Sequence, residues 1–489
     1  MTIIKLVYKQ ISYVLSFLFN KCIKSGVYPN CFKTAKVLPL YKSGDPYFAG
    51  NYRPISILPA LNKVFEKIIY NRISSFFTSF DIINSNQFGF RKGFSTELAT
   101  VKFCEDILIN LNEGQASCAV LLDLSKAFDS VNREILLHKL YHYGIRGKAH
   151  ELLTSYLSDR SQYIEVENVK SSICNIQVGV PQGSILSPLL FLIHINDLRS
   201  STNLQVINFA DDTLLYYKIT ETDNVESFLN SELLKVIKWM KVNNLKLNLS
   251  KTKFMVFKPQ NSKFKDLTNM SIKLEDNIII NQVNDCKYLG ITIDKKLNWK
   301  SHIDNLNIKL SKTVGALFRI RSYVNKSSLK LILHSLFISH IRYGLLCYAR
   351  AKKSHLKKTN ILFNRALRCI NFYSRQEKST SLLYYDENIL KLEDMFKLEL
   401  AKFCFKYKNN LLPKSFNHFY TATNSIHNHN TRKSSNNLFV TRQNTSKDFL
   451  ANLGSKLWNQ IPMQIRSLDS LQIFSINLKE HFLLKYKED

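Results

Sequence analysis

The sequence predicts a mixed fold of strands and helices, and three features predict it. "CAVLLDL", residues 118–124, is a nearly unbroken apolar run, as expected of a strand covered on both faces. "LQVINFA" and "TLLYYK" flank Asp211 and Asp212 as apolar arms, which suits a hairpin carrying those acids at its tip. "VNREILLHKLYHY" and "SPLLFLIHIND" read as helices between these strands.

Taken in order, the first element is "ISYVLSFLF", Ile11–Phe19, between Lys9 and Lys21. Nine residues are too few to cross a bilayer, and no small-residue cleavage site follows. An amphipathic helix ending near Gly26 is expected, with no membrane partner. Apolar stretches then alternate with turn-rich pieces such as "KSGDPYFAGNYRP" up to about residue 100. After the 118–124 strand, Asp129 or Ser130 can cap the helix "VNREILLHKLYHY", which Gly144 stops. Ser187 is the expected N-cap of "SPLLFLIHIND", with Pro188 in the first position. From about 300 to 375 the chain is basic and helical in period. Residues 424–445 are polar and read as a loop, and a last small unit contains "LWNQIP".

Composition narrows the class. The 489 residues are 45% apolar, a normal core fraction, enough for several domains or one large multi-lobed enzyme. Lys and Arg number 68 against 38 Asp and Glu, a formal net charge of +30. The excess is spread along the chain, which points to a positively lined groove for a polyanion rather than a basic arm. The plain alternative is a solvated basic surface. None of the nine cysteines forms a C-x-x-C pair, and no histidine pair has finger spacing, which argues against a structural zinc site. Their odd number and scatter suit reduced thiols.

The acids raise the chemical question. Asp211 and Asp212 stand side by side, and neighbouring carboxylates repel unless something compensates. Alone, such a pair is usually a solvated turn. Asp123 changes the weighing, because it ends the buried run "CAVLLDL". Three carboxylates at adjacent sheet ends suit two Mg²⁺ ions, with Mn²⁺ as an alternative. Two ions about 3.5–4 Å apart activate an attacking hydroxyl and stabilise leaving pyrophosphate. Beside a basic groove, such a site would make a template-directed polymerase.

Eight segments occur in order: "GVYPNCFKTAKVLPLYKSGD", "NYRPISILPALNKVFEKII", "NQFGFRKGFSTE", "VLLDLSKAFDSVNRE", "GVPQGSILSPLLFLIHINDL", "NFADDTLLYY", "LKLNLSKTKFMVF" and "CKYLGITID". On these the chain resembles the reverse transcriptase of non-LTR retrotransposons, in particular the jockey-like group. The likeness covers roughly residues 10–375 and continues more loosely to the C-terminus. It implies an α+β right-hand polymerase with fingers, an antiparallel-sheet palm packed on helices, and a helical thumb. The implied divisions are an N-terminal helical extension (1–30), fingers and palm (31–275), primer-grip hairpin and thumb (276–375), and a C-terminal region without an assigned role (376–489).

The resemblance also implies roles. Asp123, Asp211 and Asp212 match the palm metal ligands. Phe128 matches the steric gate whose ring excludes a 2′-hydroxyl; read alone, it is a core aromatic beside the helix cap. Gln182 and Gly183 of "PQGS" match the loop touching the incoming nucleotide and template base, where a glycine lets backbone approach a ligand. Arg91 and Arg53 are the candidates for gripping the triphosphate, since a guanidinium offers phosphate a fixed fork of donors. Lys251, with Lys253 as competitor, matches the lysine that protonates departing pyrophosphate. Tyr288, Leu289 and Gly290 match the primer grip. The helices containing "LNWKSHID" and "RALRCI" would track duplex phosphates.

The implied partners are an RNA template, a DNA primer and dNTPs, in nucleus and cytoplasm, although no targeting signal is visible. Full-length relatives carry an upstream endonuclease, and nothing here resembles one, so the expectation is the polymerase portion alone. His427 and His429 read as loop residues. A catalytically inactive nucleic-acid-binding remnant is the rival reading. An RNA-dependent RNA polymerase is a third, which Phe128 opposes.

Overall fold

The computed structural model describes residues 2–487 apart from 221–223, 260–263, 265–266, 268–269, 275–277, 374–377, 418, 421–436, 439 and 441–448. The loop expected over 424–445 lies almost wholly outside the described residues, as do His427 and His429 and the division expected at 275/276.

A five-stranded sheet organises the chain. Its order is Asn281–Gln282, Lys253–Phe257, Ala116–Leu122, Asp212–Ile219, Gln205–Phe209. All pairings are antiparallel except that between the first two. Side chains alternate between its faces. Cys118, Val120, Leu122, Leu215, Phe254 and Val256 enter one core, and Ala119, Leu214, Tyr216, Met255 and Phe257 enter another. Both faces are thus buried, which is why these strands read as near-continuous apolar runs.

The first core is closed by helices Ala60–Ser79, Arg133–His142, Gly147–Leu157, Ser187–Ile195 and Val225–Val242. The expected N-terminal helix spans Thr2–Ser25 and ends at Gly26, whose φ is +72°. Phe19 stacks on Phe65 at 4.6 Å, and Tyr28 lies 5.2 Å from the same ring, so the helix is anchored in this core. No described helix is long and apolar enough to cross a membrane. A second sheet, with Thr34–Tyr41 between Tyr52–Ile57 and Arg160–Val166, stands beside this core.

Two expected caps are corrected. The helix after the 118–124 strand starts at Arg133, and its cap is Asn132, whose side chain accepts the Ile135 N–H at 3.0 Å. Asp129 and Ser130 instead sit in the preceding turn, where both N–H groups donate to the Lys126 carbonyl. Ser187 is already helical and is not a cap: its N–H donates to Ser184 Oγ at 2.9 Å.

The second core holds the hairpin Asp285–Tyr288/Ile291–Asp294 and the basic helices Lys300–Ile320 and Lys353–Asn371. Helices Leu392–Lys408, Leu450–Gln460 and Leu471–Leu484 join the same core, so the stretch around "LWNQIP" is not a separate unit. Its apolar side chains, Trp458 and Phe474 among them, have no core of their own to fill.

A buried junction ties these parts together. Glu105, on the helix Thr96–Asn112, pairs with Arg350 at 2.5 Å and accepts the Leu450 N–H at 3.0 Å. Both side chains are almost fully buried, so each charge depends on the other being in place.

Candidate active site

The sheet register brings the acids together. Antiparallel pairing sets Leu122 opposite Thr213, and one further step in that register sets Asp123 opposite Asp212. On the other side, Phe209 pairs with Asp212, leaving Ala210 and Asp211 as a two-residue turn. The acids therefore sit at a hairpin tip beside the end of the central strand, as the apolar arms predicted.

This turn is held from outside. Ala210 has a φ of +56°, a region costly for a residue with a Cβ. Gln87 Oε1 accepts the Ala210 N–H at 3.1 Å and the Gly89 N–H at 2.8 Å. Phe88 N–H donates to the Asn208 carbonyl at 2.7 Å, and Asn208 N–H donates to the Asn86 carbonyl at 3.0 Å. A Cβ on Gly89 would stand 2.3 Å from the Ala210 nitrogen, so glycine is needed for this approach. "NQFGF" is thus a brace behind the acidic turn. Sequence reasoning missed Gln87, because a buried amide and a surface amide read alike.

Asp123, Asp211 and Asp212 line one cleft of about 1090 Å³. Phe128, Gln182, Arg53, Lys42 and Lys251 line it too. The Phe128 ring stacks on Phe191 at 4.6 Å and meets Phe90 edge-on at 6.1 Å. It is both a packed aromatic and part of the cleft wall, so the two sequence readings of this residue are compatible.

Burial, then the neighbouring Asp211 and Asp123 charges, push the Asp212 carboxyl up to about 6. Burial also raises Asp211; Asp123 adds to this, while Arg53 and Lys42 oppose it. Asp123 pairs with Lys251, whose Nζ lies 3.6 Å away. Among the described residues, Asp211 and Asp212 make no ion pair.

Lys251 reaches Asp123 because Asn248 N–H donates to the Asp123 carbonyl at 2.8 Å, and Lys246–Leu247 pairs with Leu124–Ser125. A smaller cavity of about 280 Å³ joins Asp123, Asp212, Lys251, Lys253, Tyr288 and Leu289. The expected primer-grip hairpin therefore borders the acids. Its turn is Leu289–Gly290, with both φ angles positive. Tyr343 Oη donates to the Leu289 carbonyl at 2.5 Å. Tyr288 is buried, and burial raises its phenol.

Two expectations change. Gly183, at φ +113°, was expected to let backbone approach a ligand. The approach it permits is internal: a Cβ there would lie 2.7 Å from the Ser56 carbonyl, and Ser56 N–H donates to the Gln182 carbonyl at 2.6 Å. The Gln182 side chain donates to Asp129 at 2.8 Å. The "PQGS" loop is thus held between the Tyr52–Ile57 strand and the turn carrying Asp129. Arg91, expected to grip a triphosphate, does not line the cleft. Its guanidinium donates to the Asn84 and Gln87 carbonyls at 2.7 and 3.2 Å and lies over the Phe94 ring. Arg53 does line it, together with Lys42, which sequence reasoning passed over because a lysine in a turn-rich loop carries no distinguishing signal.

Residues 40–293 match the family described as reverse transcriptase (RNA-dependent DNA polymerase). This chain belongs to that family. Among similar proteins, the probable RNA-directed DNA polymerase from transposon BS of Drosophila melanogaster is 28% identical over 411 residues, 80% of this chain and 44% of the relative. The RNA-directed DNA polymerase from mobile element jockey of the same fly is 29% identical over 380 residues, 75% of this chain and 41% of the relative. This chain thus spans under half the length of these relatives. A telomerase structure from Candida tropicalis aligns with a TM-score of 0.43 and 11% identity, covering 85% of this chain and 73% of that one. The mixed sheets and helices fit the right-hand fold of this family, with palm the term for the five-stranded sheet, fingers for the sheet around Thr34–Tyr41 and thumb for the helices from Lys300.

The family works with divalent metal ions. Among the described residues, no three His, Cys, Asp or Glu side chains are already gathered into a metal-ion site. The expectation of three ligands within reach of a shared ion pair is therefore met only in part. The backbone brings Asp123, Asp211 and Asp212 to one cleft. The donor set fits divalent cations: carboxylates are hard oxygen ligands, and among the described residues no Lys or Arg makes an ion pair with Asp211 or Asp212.

Replacing Gln87 with Ala removes the acceptor for two buried N–H groups. Chemical denaturation should show a loss of about 1–3 kcal/mol; an unchanged unfolding midpoint would refute the brace.

A second expectation concerns pH. An acid whose folded value is raised prefers its neutral form in the fold, so the penalty is absent below the unfolded value of 3.8 and complete above about 6. Although its carboxyl is partly desolvated, Asp212 as a residue still meets solvent, which discounts the penalty to about 1 kcal/mol or less. Asp212→Asn should stabilise the metal-free protein at pH 7.5, with the gain fading as pH falls toward 4. Equal stability of the two proteins at pH 7.5 would contradict the repulsion.

Proposed function

We propose that this chain is an RNA-directed DNA polymerase of a non-LTR retrotransposon, extending a DNA primer on an RNA template. One observation carries the reading: Asp123, Asp211 and Asp212 share a cleft with an aromatic wall and four basic side chains, Lys42, Arg53, Lys126 and Lys251. Asp123, Asp211 and Asp212 would hold two Mg²⁺ ions, with Mn²⁺ as a substitute. When bound, such ions supply activation of the primer 3′-hydroxyl and stabilisation of the leaving pyrophosphate.

The chain's own residues do the rest. Arg53 and Lys42, rather than Arg91, neutralise and orient the triphosphate. Phe128 presents a ring where the sugar lies, so a 2′-hydroxyl would clash. Gln182 lines the wall facing the nucleotide, and Gly183 lets that loop pack closely on Ser56. Lys251, the lysine paired with Asp123, is the proton source for pyrophosphate, and Lys253 sits one cavity away. Leu289 and Gly290, backed by Tyr288, support the primer end. Catalysis then rests on positioning and charge stabilisation more than on covalent chemistry. The reaction would occur in nucleus and cytoplasm, following the family's way of life.

Primer extension on an RNA template with Mg²⁺ tests the reading. The parent protein should incorporate dNTPs, and Asp211→Ala should lose this activity by several orders of magnitude while still folding. Tight binding of the primer–template without extension would support an inactive remnant instead. Separately, Phe128→Ala should raise ribonucleotide incorporation relative to dNTPs by at least about tenfold, the effect of about 1.4 kcal/mol. Unchanged discrimination would remove Phe128 from the gate.

A further inference from the structure

The outer end of the thumb carries a feature that the catalytic reading leaves unused. Helices Lys300–Ile320 and Lys353–Asn371 run side by side in the same direction. His355 Nδ1 lies 3.3 Å from the Asn298 carbonyl, Thr359 Oγ1 donates to Asn307 at 2.8 Å, and Arg365 lies over Phe318. Their C-terminal ends are therefore neighbours, about 30 Å along the helix axis from the primer-grip hairpin.

At that end cations and rings interleave. The Arg321 guanidinium lies 5.0 Å from the Phe318 ring centre and 5.9 Å from that of Phe372, and Arg365 lies 5.9 Å from Phe318. Lys378 lies 5.9 Å from the Tyr373 ring. Phe318, Phe372 and Tyr373 are 39%, 54% and 39% exposed, large values for aromatic side chains. Phe372 is also strained: it ends its helix at a φ of +58°, a position that favours glycine or asparagine. A bulky residue kept there with its ring half in solvent is costly unless the ring is used.

Charge says what would use it. Between Asp304 and Glu377 the sequence has no acidic residue and fifteen Lys or Arg. Nearby acids are neutralised: Glu387 pairs with Lys326 and Lys330, and Asp386 with Lys378. A polyanion therefore meets a strongly basic surface along these helices. Duplex bases are stacked on each other and offer these rings nothing. A single strand offers both phosphates for the cations and free base faces for the rings.

We propose that Phe318, Arg321, Arg365, Phe372 and Tyr373 form a stacking platform on the thumb for single-stranded RNA, indifferent to base sequence. That the strand is RNA rests on the polymerase reading; the stacking does not. Because the test reads binding without catalysis, failure of either idea is visible separately.

The test uses the full chain and fluorescence anisotropy with a labelled, unstructured 20-nucleotide RNA, the same strand paired with DNA, and single-stranded DNA of equal length. Phe372→Gly removes the ring at a position that glycine favours, so it should melt no lower than the parent. Phe318→Ala combined with Phe372→Gly should weaken single-stranded RNA binding about tenfold or more, the loss of one or two stacked bases. Duplex binding should change less than about twofold. Equal losses on duplex and single strand would overturn the platform in favour of a general basic surface, and so would an unchanged single-strand affinity. A loss seen only on single-stranded DNA would overturn the choice of RNA. Loss of binding to phosphatidylserine vesicles, with RNA binding intact, would assign the patch to a membrane instead. Should the double variant fold poorly, Phe372→Gly alone decides, with a loss of about threefold or more expected.

Discussion

Three negative charges forced toward one point set the terms for the rest of this fold. Backbone pairing of Leu122 with Thr213 leaves Asp123 and Asp212 at the adjoining strand ends, and the hairpin places Asp211 on the turn. Repulsion would open such an arrangement if its supports were soft. They are not soft. The central strand is sandwiched between two cores, and Gln87 pins the turn through a buried amide. The loop carrying Lys251 is tied to the Asp123 backbone. The fold thus holds an unfavourable electrostatic arrangement ready for cations, and stability elsewhere offsets its cost.

The same logic explains why fingers, thumb and C-terminal region are packed rather than strung. Phe88, next to Gln87 in the brace, meets Phe416 edge-on at 6.4 Å, and Phe416 meets Phe403 at 5.5 Å. Support for the acidic turn therefore continues into the C-terminal helices. Glu105 does the same across the palm: its two oxygens engage Arg350 and the Leu450 N–H. A buried carboxylate with one partner removed is strongly destabilising, so palm, thumb and C-terminal region stand or fall together at this point. Among the described C-terminal residues, Phe403, Phe416 and Leu450 thus pack or bond against the elements that carry the site.

Some sites did not match their motifs, for identifiable reasons. Glycine in "PQGS" signals a close approach but does not say to what, and the partner is the Ser56 carbonyl. Arg91 is followed closely by Phe94, and its guanidinium is drawn to nearby carbonyls and that ring instead of the cleft. Helix caps moved by a few residues because Ser, Asp and Asn compete locally for the same role, and the backbone chose Asn132. Phe128 was legible as important, but its stacking on Phe191 comes from a helix far along the chain.

By itself the sequence determined the strands, the acidic hairpin, the basic helices and the family, because alternation, helical period and motif order are local properties. The order and spacing of the motifs also named Asp123, Asp211, Asp212 and Lys251, all of which line the cleft. Only the tertiary structure decided that Gln87 supports the turn, that Arg53 and Lys42 face the acids while Arg91 does not, and that the C-terminal helices share the thumb's core. Those outcomes depend on which distant backbone groups and rings come within bonding range, and a side chain's residue type does not encode the partner that folding brings to it.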